Sequence, residues 1–187
     1  VVEVVEYRSS WPARYMQLRE AYAEALFAAD VPCLSIEHVG STSVPGLAAK
    51  PVIDIDVVVA VEHVEGATEA LARIGFTPLG DLGIPGRAAL VTPERFAPSN
   101  TSVMVDGSLP LRNHLAVRSV LRADPELRDE YATVKRRAAG SAVDIDDYLR
   151  RKSDVLERIL ERAGLSDADR AAIAATTRSI VERGAAG

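Results

Sequence analysis

Ile36-Glu37-His38-Val39-Gly40-Ser41-Thr42-Ser43-Val44-Pro45-Gly46-Leu47-Ala48-Ala49-Lys50-Pro51-Val52-Ile53-Asp54-Ile55-Asp56-Val57-Val58-Val59 is the stretch on which the fold turns. Its second half, Val52 to Val59, reads as a central β-strand. Ile53, Ile55, Val57 and Val59 line one face, and Val52, Asp54, Asp56 and Val58 line the other. Asp54 and Asp56 therefore share a face, about 6.6–6.8 Å apart along the strand. A carboxylate in so apolar a run is costly unless it is paired or binds a metal. Two at this spacing also repel, and a divalent cation between them relieves both costs. Hard oxygen ligands favour Mg²⁺, which takes one or two carboxylates together with substrate phosphates and water. The bland alternative is a strand end that reaches solvent and leaves both aspartates hydrated.

The step Val39-Gly40-Ser41, then 12 residues from Thr42 to Ile53, then Asp54-Ile55-Asp56, resembles the pattern of DNA polymerase beta-like nucleotidyltransferases. Glycine permits close backbone approach to a phosphate, and a hydroxyl with exposed N–H groups at a helix start cradles an anion. The resemblance implies that Gly40, Ser41, Thr42 and Ser43 hold the phosphates of a nucleoside triphosphate. It implies that Asp54 and Asp56 hold Mg²⁺ or Mn²⁺ and carry the catalysis. The pattern also wants a third carboxylate from a neighbouring strand. In Thr101 to Asp106, the residues Ser102, Met104 and Asp106 share a face, and only Asp106 can bind a metal; the alternative is a turn aspartate before Gly107.

The longer run from Ile36 to Ile55 is similar to the core motif of the GrpB family. That family occurs alone or fused to dephospho-coenzyme A kinase in some bacteria, and is grouped by fold with the nucleotidyltransferases. Tyr7 to Pro12 resembles its opening and Gly86-Arg87 its mid-chain Gly-Arg. His114 to Arg118, Tyr131 to Arg137 and Tyr148 to Lys152 resemble its helical second half, so the likeness spans residues 3–163. Two departures stand out. Relatives carry a His-Leu-His-Val-like run where this chain has Ser102 and Met104, and Phe-Arg-Asp where it has Val117-Arg118-Ser119. Both remove polar groups that could serve a site.

Composition frames these readings. With 187 residues the chain is long enough for one domain with a real core, here divided into a sheet-containing part over 1–110 and a helical part over 111–187. A net charge of −5 argues against a generic nucleic-acid binder. Residues 1–111 carry 7 basic and 14 acidic side chains and residues 112–187 carry 15 and 13, so cations for a phosphate-rich ligand would come from the later helices. The rival reading of those arginines is solvated helix faces. Cys33, the only cysteine, excludes an internal disulfide and reads as a small buried hydrophobe. No run is long and apolar enough for a membrane span and no cationic leader opens the chain, so a cytoplasmic protein is expected.

Along the chain, residues 3–7 read as an edge strand, and Ser10 as the cap of a helix with Tyr15, Leu18, Tyr22, Ala25 and Ala29 at helical spacing. Strands are expected at Leu34–Val39, Val52–Val59, Phe76–Leu79, Ala88–Thr92 and Thr101–Val105, and a helix over Val64–Ile74 closed by Gly75. From Leu111 the chain reads as helical: Asp124-Pro125-Glu126 opens one helix, Asp144 or Asp146 the next, which Gly164 ends, and Ser166 a last one closed by Gly184. Asp144-Ile145-Asp146 repeats the Asp-x-Asp spacing, but at a helix start it is a cap rather than a metal pair. The fold class is α+β: a small mixed nucleotidyltransferase-like sheet with helices on one face and a helical C-terminal subregion.

Further candidates each have a plain reading beside the functional one. His38 alternates with Leu34 and Ile36 and should be a core histidine, whereas Glu37 faces the other way and could orient a metal-bound water. His63 reads as surface. Lys50 could reach a phosphate or be an ordinary loop lysine; Arg87 sits on a tight turn that can aim it inward. His114 and Arg118, one helical turn apart, form an anion pair or a solvated face, and Tyr148 and Lys152, also i and i+4, could reach a base or an acceptor. The expected activity is Mg²⁺-dependent nucleotidyl transfer from a nucleoside triphosphate to a small acceptor. The rivals are a non-catalytic nucleotide- or coenzyme-binding module and a nucleotide-free enzyme using the same metal face.

Overall fold

Ile53–Val59 (β2) is built almost wholly of β-branched residues, and all but Asp54 of its seven residues are buried. It is buried on both faces because helices pack on each side of the five-stranded sheet in which it lies. The computed structural model describes the backbone of residues 4–139 and 145–185, and side chains over 4–137 and 152–178. Ser35–Val39 (β1), Thr77–Gly80 (β3), Arg87–Val91 (β4) and Ser99–Val105 (β5) complete the sheet in the order β1-β2-β5-β4-β3. β2 and β5 are parallel and the other pairs antiparallel, so the sheet is mixed as expected. The expected edge strand at residues 3–7 is reduced to one bridge, Val5 to Ala49, with both N–H···O contacts at 2.9 Å.

The apolar face of β2 packs under Ser10–Ala28 (α1) and Val64–Arg73 (α2). Trp11, Leu18, Tyr22 and Leu26 of α1 and Ala67, Ala70 and Leu71 of α2 meet Ile53, Ile55, Val57 and Val59. The buried Tyr22 hydroxyl pairs with Thr101 Oγ1 at 2.9 Å. Ser10 lies inside α1; Ser9 is at the cap and makes no side-chain capping bond. His38 points to this apolar side as its alternation predicts. It stacks on Tyr15 at 4.8 Å and pairs through Nε2 with Thr42 Oγ1 at 3.0 Å.

The later chain forms Leu109–Ala123 (α3), Pro125–Ala139 (α4), Ile145–Arg162 (α5) and Asp167–Ala185 (α6). Asp124 Oδ1 accepts from the N–H groups of Glu126 and Leu127, both at 3.1 Å, and Ser166 Oγ from Asp169 N–H at 3.1 Å, so both expected caps are made. α6 continues through Gly184 rather than stopping there. Asp144 and the side chain of Asp146 lie outside the described residues. Val44 and Leu47, from the loop between β1 and β2, pack among Leu121, Tyr131, Val155 and Ile159, tying the helical half to the site loop. Val58 and Met104, on the second face of the sheet, are covered by Leu111 and Leu115 of α3. Among the described residues no helix is long and apolar enough to cross a membrane.

Candidate nucleotide and metal site

Register places the carboxylates. Asp54 pairs with Val39 of β1 and Asn100 of β5, and Asp56 with Glu37 and Ser102. Glu37, Asp54, Asp56, Asn100 and Ser102 therefore crowd one patch of the second face. Asn100 Nδ2 donates to Asp54 Oδ1 at 2.9 Å. Burial, helped by the neighbouring Asp56 charge, holds the Asp54 carboxyl above its ordinary range, against the opposing pull of Asn100, His114 and Lys135. Asp56 is 2% exposed, and its Oδ2 meets His114 Nδ1 at 2.7 Å. Burial disfavours the charged form of His114, but the hydrogen bond and charge of Asp56, with Asp54 behind it, outweigh that and raise the ring above its ordinary value.

The same register removes Asp106 from the site. It lies four positions beyond Ser102, about 13 Å along the strand, and is exposed in the turn that follows β5. The third place beside Asp56 belongs to Ser102. Met104 is fully buried beneath α3 and forms the floor beyond the carboxylates. Ser119 is exposed on α3, one residue off the stripe that faces the sheet, so the departure there does not touch the carboxylates.

Gly40 is required twice over. Its φ of +67° is costly for any side chain, and a Cβ there would lie 2.1 Å from Asp54 Oδ2. Its backbone is thus the seat of the Asp54 carboxylate. The single 3-10 turn Ser41–Ser43 follows. Ser43 Oγ donates to the Gly40 carbonyl at 2.6 Å, and Thr42 Oγ1 donates to the Val52 carbonyl at 3.1 Å besides pairing with His38. Both hydroxyls are committed to the fold, which corrects their assignment as phosphate contacts. Ser41 Oγ instead accepts from Lys135 Nζ at 2.5 Å.

Lys135, on α4, reaches the loop at Ser41, whereas Lys50 is exposed at the loop's end. Burial, reinforced by the Lys152 charge and partly offset by Asp54, lowers the Lys135 ammonium to about 8. Burial also lowers Lys152, on α5. Lys152 thus lies close enough to Lys135 for the two charges to be felt by one another. The side chain of Tyr148 lies outside the described residues.

α3 lays His114, Arg118 and Arg122 on one stripe at i, i+4 and i+8. His114 reaches Asp56. Arg118 Nη1 donates to Glu37 Oε2 and to the His38 carbonyl, both at 2.8 Å, and Arg122 donates to the Ser43 carbonyl through Nε at 3.0 Å and Nη2 at 2.6 Å. His114 and Arg118 therefore pair with the protein's own carboxylates, and Glu37 is held by Arg118 rather than left for a water. Arg87 opens β4 opposite Met104, after the left-handed turn at Gly86 (φ +81°). Burial pulls its guanidinium below the usual value, while Asp56 and Asp81 pull the other way. Its Nε is buried without a partner among the described residues.

Sequence reasoning missed Asn100, Arg122 and Lys135. Extending the His114–Arg118 spacing by one turn finds Arg122. Asn100 needed the register of a strand that starts earlier than its apolar residues suggest. Among the described residues no group of three or more His, Cys, Asp or Glu is arranged to hold a metal. Asp54 and Asp56 could offer two carboxylates to an ion that takes its remaining ligands from phosphate and water.

Comparison with known proteins bears on the family and the fold. The chain is 38% identical to UPF0157 protein SCO7215 of Streptomyces coelicolor over 163 residues, covering 85% of this chain and 82% of that protein. It is 30% identical to UPF0157 protein YqkA of Bacillus subtilis over 164 residues, 87% of this chain but 47% of YqkA, so it spans about half the length of that relative. It is also 30% identical over 177 residues to a dephospho-CoA kinase of Mycolicibacterium paratuberculosis, covering 79% of this chain and 42% of the kinase. The crystal structure of GrpB from Enterococcus faecalis superposes with a TM-score of 0.71 at 33% identity, covering 86% of this chain and 96% of that one. Cid1 poly(U) polymerase in its MgGTP-bound form superposes with a TM-score of 0.51 at 20% identity over 71% of this chain and 43% of Cid1; this likeness concerns the fold alone. The family profile of the GrpB protein matches residues 1–162, and the chain belongs to the GrpB family with a nucleotidyltransferase-like fold.

Proposed function

We propose that this protein is a Mg²⁺-dependent nucleotidyltransferase acting on a small-molecule acceptor. The observation that carries the reading is the placement of two strand-borne carboxylates, Asp54 and Asp56, beside the Gly40–Ser43 loop, where Lys135 Nζ donates to Ser41 Oγ and the Lys152 charge lies close to Lys135. Asp54 and Asp56 would hold Mg²⁺. When bound, the ion would neutralise phosphate charge and act as a Lewis acid at the α-phosphate. Ser41 Oγ and the two ammonium groups bind the outer phosphates, where a polyanion relieves the repulsion between the lysines. Asp56 fixes the His114 ring through Nδ1, leaving Nε2 to hydrogen-bond an acceptor hydroxyl. That hydroxyl oxygen forms a bond to the α-phosphorus, the α–β phosphoanhydride bond breaks, pyrophosphate leaves, and the hydroxyl proton is released to water. Positioning and charge neutralisation provide most of the acceleration in such transfers. The MgGTP held by Cid1 in the related fold supports this reading.

A non-catalytic nucleotide-binding role is favoured by one observation: Ser102 stands where a third carboxylate would sit beside Asp56. Pyrophosphate release over a panel of triphosphates and small alcohols separates the two. Turnover lost in Asp54→Asn supports transfer, whereas tight Mg²⁺–triphosphate binding with no pyrophosphate from any pair supports the binding role.

A further inference from the structure

A cavity of about 350 Å³ lies between α6, the start of α3 and the turn before β4. His114, whose Nδ1 meets Asp56 Oδ2, is part of its lining, so the cavity borders the carboxylate pair. Its walls are mostly apolar and include Ile84, Leu109 and Ile173. Asn113, Thr176 and Thr177 add neutral polar groups, and Arg87 adds the one guanidinium. The volume is near the lower limit for small-molecule sites, which suits a compact metabolite and is too small for a folded or polymeric partner. α6 is fixed as a wall by Arg112, whose Nη1 and Nη2 donate to Asp169 at 2.8 and 3.0 Å. The family match ends at residue 162, so the α6 wall belongs to this chain beyond the matched region.

The charges in the cavity select the ligand. Arg87 Nε is buried without a hydrogen-bond acceptor among the described residues. A buried donor left unsatisfied is costly, and a planar fork of N–H groups matches a carboxylate. A neutral nucleobase would leave that guanidinium uncompensated. A phosphate dianion would need a second cation, and the other basic group in the lining, the His114 ring, is already paired with Asp56. An ammonium would face the guanidinium itself.

We propose that this cavity is the acceptor seat, and that it takes a small amphipathic hydroxy-carboxylate whose carboxylate lies on Arg87, whose apolar body lies against Ile84, Leu109 and Ile173, and whose hydroxyl is presented to His114. Its role as acceptor seat rests on the transferase reading above; its selectivity for a carboxylate does not.

The test is a calorimetric titration of the whole protein with 3-phenylpropanoate, 3-phenylpropanamide and adenosine. The carboxylate should bind, and the isosteric amide should bind about ten- to hundredfold more weakly, the ratio expected for one charge-assisted contact. Arg87→Gln should lose affinity for the carboxylate by a similar factor while binding the amide unchanged. Ile173→Trp, which fills the cavity from the α6 side, should abolish both, with circular dichroism checking that each variant folds. Equal affinity for acid and amide, no binding of the acid at millimolar concentration, or adenosine binding that Ile173→Trp alone removes would each overturn the proposal. Mg²⁺–triphosphate affinity measured in parallel keeps the two readings apart. If the triphosphate does not bind but the carboxylate does, the transferase reading fails and the carboxylate site stands.

Discussion

At the scale of single residues, Gly40 and His38 carry consequences that no sequence pattern displays. Gly40 reads as a glycine that lets a phosphate approach, yet the atom pressed against it is Asp54 Oδ2. Gly40→Ala should therefore cost about 1–3 kcal/mol from backbone strain alone. Adding Asp54→Ala in that background should recover part of the loss by removing the overlap. Urea denaturation of the four proteins measures this coupling, and strictly additive losses would show that the carboxylate is not seated on Gly40. His38 is lowered to about 4 by burial, with Arg122 and Arg118 adding to the effect. A histidine neutral in the fold but protonated in the unfolded chain near 6.5 stabilises fully above that value, and its contribution is lost as pH falls through 6.5 towards 4. The span amounts to about 3 kcal/mol. His38→Gln should flatten the pH dependence of stability between pH 4 and 6.5 by roughly that amount, and an unchanged slope would place the titration elsewhere.

At the scale of elements, the strands were the most legible part and the helix surfaces the least. Alternation located β2 and its two faces, because a strand buried on both sides leaves its aspartates conspicuous. The i, i+4 spacing located half of the α3 stripe. What alternation could not give was the register between β2 and β5, and that register exchanges Asp106 for Asn100 and Ser102 beside the carboxylates. Nor could it show that α4 folds back so that Lys135, one of several basic residues on that helix, reaches Ser41 over a gap of 94 positions. The residue closer in sequence, Lys50, was the natural choice and is exposed. Lys135→Ala should weaken Mg²⁺–triphosphate binding about ten- to hundredfold, and Lys50→Ala should leave it nearly unchanged. Because Lys135 loses its charge near pH 8, affinity should fall as pH rises through 8 in the wild type but not in Lys135→Arg. Calorimetry across pH 7–9 checks this, and parallel curves for the two proteins would remove Lys135 from the phosphate site.

At the scale of the whole molecule, the sheet and the helical half meet through the site. Val44 and Leu47 of the loop between β1 and β2 sit in the helical cluster, Arg122 holds the Ser43 carbonyl, and His114 and Arg118 hold Asp56 and Glu37. We propose that the two parts unfold together as one domain. Leu47→Ala should cost about 2–5 kcal/mol and weaken triphosphate binding with it, since the loop that presents Ser41 is packed from beneath by that side chain. The resemblance of the 36–55 run to the GrpB motif anticipated the fold, because that motif forms the loop where the two halves join. It did not anticipate α6, which lies beyond the family match, or the cavity that α6 closes against Ile84, Arg87 and Leu109.

The most direct measurement is a calorimetric titration of Mg²⁺ with a non-hydrolysable nucleoside triphosphate into the wild type and into Asp54→Asn/Asp56→Asn. In the wild type each ligand should tighten binding of the other, because each completes the other's coordination. In the folded double variant that mutual dependence should disappear and triphosphate affinity should become insensitive to Mg²⁺. The same Mg²⁺-dependent affinity in both proteins would mean that Asp54 and Asp56 hold no metal, and the proposed transferase site would be contradicted.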